Sequence, residues 1–193
     1  MTPRDERPRV HPETIEALRA WFEANQATSR GIWLVSWRRR TGRPTLSYED
    51  VIREALCFGW IDGQAKMLDE ERAMILLAPR SPRSGWARTN KVRVEELIAS
   101  GRMQPAGLAA IEAARSNGAW SALDASESGI PPADLADALA ALPGATAAWD
   151  AWAPSLRKMA IAHVTTAKRP ETRGRRIAEI ASRAAAGRKP FDP

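Results

Sequence analysis

Cysteine is almost missing from this chain: its 193 residues hold one, Cys57. A lone cysteine closes no intrachain disulfide, and with only His11 and His163 to join it no thiolate–imidazole metal site can form. No metal and no cofactor is expected, and the cysteine usage fits a reducing compartment. Long apolar runs are missing too. The longest, Ala55 to Ile61 with Gly59 included, falls far short of the roughly 18–20 residues that cross a bilayer, so no membrane span is expected. The opening residues MTPRDERPRV are charged and carry proline, with no apolar stretch behind them, unlike a secretory signal. The expectation is a cytoplasmic protein. Also absent are G-x-G-x-x-G, a Walker-type phosphate loop, H-E-x-x-H and G-x-S-x-G. With two histidines, one near the start, a Ser–His–Asp arrangement has little to draw on. His163 shares a helix face with Leu156, Ala160 and Ala167 and reads as a residue at the edge of a core. Cys57 lies in the run Ala55-Leu56-Cys57-Phe58 and reads as a buried, inert thiol.

Tryptophan is what the chain has in excess: eight, all between Trp21 and Trp152, against one tyrosine and three phenylalanines. Buried indoles need partners for their N–H groups. The apolar fraction of 44% and charged fraction of 27% are those of a globular protein, long enough to bury a core without staples. The net charge of +6 is unevenly spread. Residues 80–102 set Arg80, Arg83, Arg88, Lys91, Arg93 and Arg102 against Glu95 and Glu96, and residues 157–189 set ten Lys or Arg against Glu171 and Glu179. Such asymmetry points to an anionic partner. The competing reading is that arginine merely solubilises helical surfaces.

Helix and strand signals alternate in the first half. Ile15, Leu18, Trp21 and Phe22 recur at helical spacing behind His11-Pro12-Glu13. The run IWLVSW (32–37) is apolar on both faces, the mark of a central strand. Ser47 and Asp50 form a capping-box variant for a helix ended by Gly59. Residues 60–67 alternate: Ile61, Ala65 and Met67 on one side, Trp60, Asp62, Gln64 and Lys66 on the other. With RAMILLA (72–78) they make a hairpin, whose four-residue loop sets Asp62 opposite Leu77 and returns Arg80 to Trp60. After the loop 79–85, helices are expected over 86–100 and 105–117. The segment 121–132 reads as a loop, and helices follow over 133–141, 144–152, 154–168 and 170–186. The fold class is α+β: a small antiparallel sheet, a hairpin plus one further strand, packed with helices and followed by a mostly α-helical half. The divisions are 1–103 and 104–187, with 188–193 a frayed tail. The helical half is Ala-rich, so packing with the first part as one compact unit is expected.

Two constellations carry chemistry. The first joins Trp60, Asp62 and Lys66 on the hairpin to Arg80 and Ser84 in the loop and to Trp86 and Asn90 at the next helix start. A helix N-terminus favours an anion, arginine can hold a phosphate or carboxylate bidentately, and an indole can supply a wall. The competing reading is structural: Ser84 as cap, Asp62 paired with an arginine, Trp rings in the core. The second is TAKRPETRGRR (166–176), where Lys168, Thr172 and Arg176 are spaced by four, as are Arg169 and Arg173. It reads either as a basic stripe or as a helix N-terminus bearing Thr172 and Arg173. Against both stands a solvated helix face with local ion pairs.

The segments ALCFGWIDG (55–63), K-x-L-D-E (66–70), PRSPRSGWARTNKVRVEELIASGRM (79–103) and AKRPETRGRRI (167–177) resemble the signature of the YdeI/OmpD-associated family over about residues 12–187. The resemblance implies protection against bacteriocins or cationic antimicrobial peptides and association with an outer-membrane porin. It brings no agreed catalytic residue. The missing secretion signal counts against porin association. A basic protein would also repel cationic peptides, which makes protection indirect. The leading expectation is therefore a non-enzymatic stress or resistance module that binds a small anionic or phosphate-bearing ligand through a basic surface. The alternatives are a nucleic-acid-binding protein and an enzyme with Asp62 as general base and Lys66 or Arg80 as electrophile.

Overall fold

The computed structural model describes residues 6–191. They divide into two compact units, one running to Trp120 and one starting at Ser121. In the first unit β1 (Arg9–Val10), β2 (Ile32–Trp37), β3 (Trp60–Met67) and β4 (Arg72–Pro79) form one sheet in the order β1-β2-β4-β3. The hairpin and the further strand β2 are antiparallel, as the patterning predicts. The two-residue β1 adds a parallel edge to β2, which makes the sheet mixed. β2 is an inner strand, and its two apolar faces serve two clusters. Ile32 and Leu34 enter the main core, while Trp33 and Val35 join Met74 and Leu76 on the opposite face. Over the main face lie α1 (Ile15–Asn25), α2 (Tyr48–Cys57), α3 (Arg88–Ala99) and α4 (Pro105–Ser116). Thr14 caps α1 and Ser47 caps α2, each accepting from the backbone three residues on. Ile111, Ala114 and Ala119 belong to this same core, so the first unit ends after Trp120 and not at residue 103.

The second unit holds α5 (Asp124–Ser128), α6 (Ala133–Ala140), α7 (Ala145–Ala151), α8 (Pro154–Thr165) and α9 (Pro170–Ala185). α5 lies within the stretch expected to be loop. This unit has its own apolar cluster, built on Leu135, Leu139, Trp149, Trp152, Ile161 and Ile180. The bulk comes from a few large residues set among many alanines. Of the expected frayed tail, residues 192–193 lie outside the described residues. Phe191 sets its ring edge-on to His163 at 5.5 Å. No described helix is long and apolar enough to cross a membrane.

Candidate functional site around Arg80

The hairpin register is as the sequence predicts at its open end. Asp62 pairs with Leu77, Trp60 with Pro79, and the Arg80 amide donates to the Gly59 carbonyl at 2.9 Å. Between Asp62 and Ala65 the register slips: three steps on β3 oppose two on β4, from Leu77 to Ile75. This is a β-bulge, and it reverses the alternation beyond it. Trp60, Asp62 and Ala65 therefore share the face of Leu77 and Ile75, whereas Lys66 pairs with Met74 and stands on the other face. There its ammonium lies 4.5 Å from the Trp33 ring. The expected grouping of Lys66 with Asp62 is corrected on this ground, and with it an Asp62–Lys66 acid–base pair.

What Asp62 meets instead is Tyr48, whose hydroxyl donates to it at 2.8 Å. Burial first, and then this bond to a carboxylate, push the Tyr48 phenol up to about 12. Beside it, Arg93 grips Glu49 through Nε (2.9 Å) and Nη2 (2.6 Å) and donates to the Asn90 side chain at 2.8 Å. Its pKa is raised, chiefly by the bond to Glu49. Tyr48, Glu49 and Arg93 escape sequence reasoning, since nothing in their spacing links them to the hairpin. Asn90 is buried, and its side chain is committed to Arg93.

Arg80 is 8% exposed. Its guanidinium carbon lies 4.0 Å from the centre of the Trp86 ring, and Nη2 donates to the Gly85 carbonyl. The other two nitrogens, Nε and Nη1, are buried without a hydrogen-bond partner. Burial pushes its pKa down to about 10, with the Asp62 charge pulling the other way. An orphaned buried cation is costly and calls for an explanation. Ser84 does not cap the helix: α3 begins at Arg88 behind Ala87, with no side-chain cap. Trp60 and Trp86 are each 1% exposed and fill core. Trp60 packs edge-on against Trp21 and Phe22, and Trp86 lies 5.1 Å from Trp120. Neither offers an open stacking face.

The second constellation lies in the second unit. Arg173 holds Asp134 through Nε (2.6 Å) and Nη2 (2.8 Å), which lowers the carboxyl's pKa. Arg176 donates to the His163 carbonyl at 2.6 Å, in the last turn of α8. Both arginines are thus engaged within the fold, as cations at a helix C-terminus commonly are. Lys168 is exposed and Thr172 half-buried.

Residues 10–110 match the model of a domain of unknown function, DUF8412. Residues 129–187 match a second model, described as Bacteriocin-protection, YdeI or OmpD-Associated. The chain belongs to the DUF8412 family and carries a YdeI/OmpD-associated segment. The Arg80 site lies within the DUF8412 match, as do the motifs at 55–63 and 79–103, and Arg173 and Arg176 lie within the YdeI/OmpD-associated match. No curated protein and no solved structure matches the chain.

Proposed function

We propose that this protein is a non-enzymatic binding module whose first unit takes up a small anionic ligand at Arg80. The family match suggests a bacteriocin-protection-like role at the level of the family, and ligand binding is the form that this role takes. The observation behind the reading is the Arg80 guanidinium, almost fully buried, with Nε and Nη1 unpartnered. A phosphate or carboxylate reaching these nitrogens would supply the missing charge and acceptors. Asp62 is occupied by Tyr48, which argues for a binding role over general-base chemistry. Protection is then indirect, through an intracellular anion and not through capture of a cationic peptide.

Because Arg80 stacks on Trp86 at 4.0 Å, indole emission should report occupancy. Titration with inorganic phosphate, nucleotides and short oligonucleotides should give saturable quenching that Arg80→Met removes. Quenching of equal size and midpoint in Arg80→Met would overturn the reading. In cells, tolerance to a bacteriocin lost on deletion should return with the wild-type gene but not with Arg80→Met.

A further inference from the structure

We propose a second ligand site in the first unit, a cleft for a phosphomonoester between Arg7 and Arg30 with the Trp21 indole as its wall. The inference does not rest on the reading of Arg80. A hollow of about 440 Å³ is lined by Arg7, Trp21, Asn25, Thr28, Ser29 and Arg30. No hydrogen bond or ion pair ties either guanidinium to another described residue, unlike the arginines of Glu49, Glu54 and Asp134. Two unpaired guanidiniums at one hollow suit a dianion better than a single carboxylate, because each can supply two parallel N–H donors.

The site is built and not incidental. β1 pairs with β2, and the Trp33 amide donates to the Pro8 carbonyl at 2.9 Å, which fixes the chain next to Arg7. The Arg7 guanidinium lies close against Gly31: a Cβ there would stand 2.6 Å from Arg7 Nη1 and 3.0 Å from the Leu77 carbonyl, and the backbone φ of +130° already disfavours other residues. The floor is the C-terminal turn of α1, closed by the Asn25 side chain donating to the Trp21 carbonyl at 2.8 Å and by the Ser29 amide donating to the Asn25 carbonyl at 2.9 Å. Ser29 Oγ accepts from the Gly31 amide at 3.3 Å, which leaves its own proton available to donate to an acceptor. Trp21 is half-buried, its ring edge-on to Phe22 at 5.5 Å and to Trp60 at 5.8 Å. A planar base can lie against its free side. Arginine pair, hydroxyl and indole together describe a nucleoside monophosphate or a similar ring-bearing phosphomonoester.

Calorimetric titration of the full chain with AMP, adenosine and inorganic phosphate tests this. AMP should bind, more weakly as salt rises, and both adenosine and phosphate should bind less tightly than AMP. Arg7→Ala and Arg30→Ala should each weaken AMP by about tenfold or more, Trp21→Leu should narrow the gap between AMP and phosphate, and Arg175→Ala, a control for net charge, should leave the isotherm unchanged. Gly31→Ala should displace Arg7 and weaken AMP without removing a charge. Circular dichroism confirms that each variant is folded. No AMP binding by the wild type would overturn the inference. So would AMP binding untouched by Arg7→Ala and Arg30→Ala but abolished by Arg80→Met, which would assign the ligand to Arg80.

Discussion

Glu54 has no exposed surface, and two arginines meet its carboxylate: Arg19 Nη1 at 2.7 Å and Arg102 Nη2 at 2.6 Å. Each carboxylate oxygen takes one donor, the arrangement that makes burial of a charge tolerable. The partners lie 35 and 48 residues away in sequence, so the pair ties α1 and the chain after α3 to α2. Glu54→Gln keeps the volume and loses both charge-assisted bonds, and should cost about 2 kcal/mol. Arg102, half-exposed, should cost less on change to Ala, under about 1 kcal/mol. Urea midpoints at constant slope check both, and equal losses would refute the asymmetry. Tyr48 gives a prediction in pH. Its phenol titrates near 12 in the fold against 10.0 unfolded. A raised pKa stabilises fully below the unfolded value and is lost as pH climbs through the folded one. Arg80 acts in the opposite sense over the same alkaline range, because its pKa is depressed to about 10. Comparison with Tyr48→Phe isolates the phenol: the stability gap between wild type and variant should shrink as pH rises from 10 to 12. A constant gap would mean that the phenol's titration is not coupled to folding.

Two glycines sit inside helices, and the patterning treats them alike. Packing does not. A Cβ on Gly107 in α4 would stand 2.3 Å from the Cys57 carbonyl oxygen, at the end of α2, whereas one on Gly174 in α9 would meet nothing within 4 Å. Gly174→Ala should therefore raise stability by up to about 1 kcal/mol through helix propensity alone. Gly107→Ala should lower it by about 1–3 kcal/mol, because α4 must move off α2. Thermal unfolding of the two variants checks this, and a gain in both would refute the close approach. The contrast shows what is legible in a sequence and what is not. Strand β2 is readable because apolarity on both faces is local information. The capping of α2 by Ser47 is readable for the same reason. β1, with two residues, has no period to read. The bulge in β3 hides in an alternation that looks clean, although Gly63 within the strand is the usual mark of one. Reading through it sends Lys66 to the wrong face. At the candidate site the cations are legible and their partners are not. A basic segment reads the same whether its arginines face solvent, as Arg175 does, or hold Asp134 and the end of α8, as Arg173 and Arg176 do. Arg7, Trp21 and Arg30 share no motif, since a strand and a helix terminus bring them to one hollow.

The place where the chain divides has a consequence for the whole molecule. Composition suggests a change of character near residue 103, where strands and charged loops give way to alanine-rich helix. The core of the first unit runs on beyond it: Ile111, Ala114 and Ala119 are buried there, and Trp120 closes on Trp86 and takes the Arg115 guanidinium at 5.0 Å. Removing residues 104–120 would take Ile111, Ala114, Ala119 and Trp120 away from this core and unpair the Trp86 amide, which donates to the Ala119 carbonyl at 3.2 Å. At about 25 cal/mol per Å² of apolar surface, exposing even three large side chains costs several kcal/mol, a large share of the stability of a domain this small. A fragment of residues 1–120 should therefore unfold cooperatively in urea, with protected amides in β2 and β4. A fragment of residues 1–103 should show neither. The piece 121–193, with its own cluster around Trp149 and Ile161, should keep its helical signal alone. Equal cooperativity in the 1–103 and 1–120 fragments would make α4 an accessory to the first core and return the division to the place that composition suggests. Loss of structure in both would mean that the first unit draws on residues beyond Trp120 for its stability.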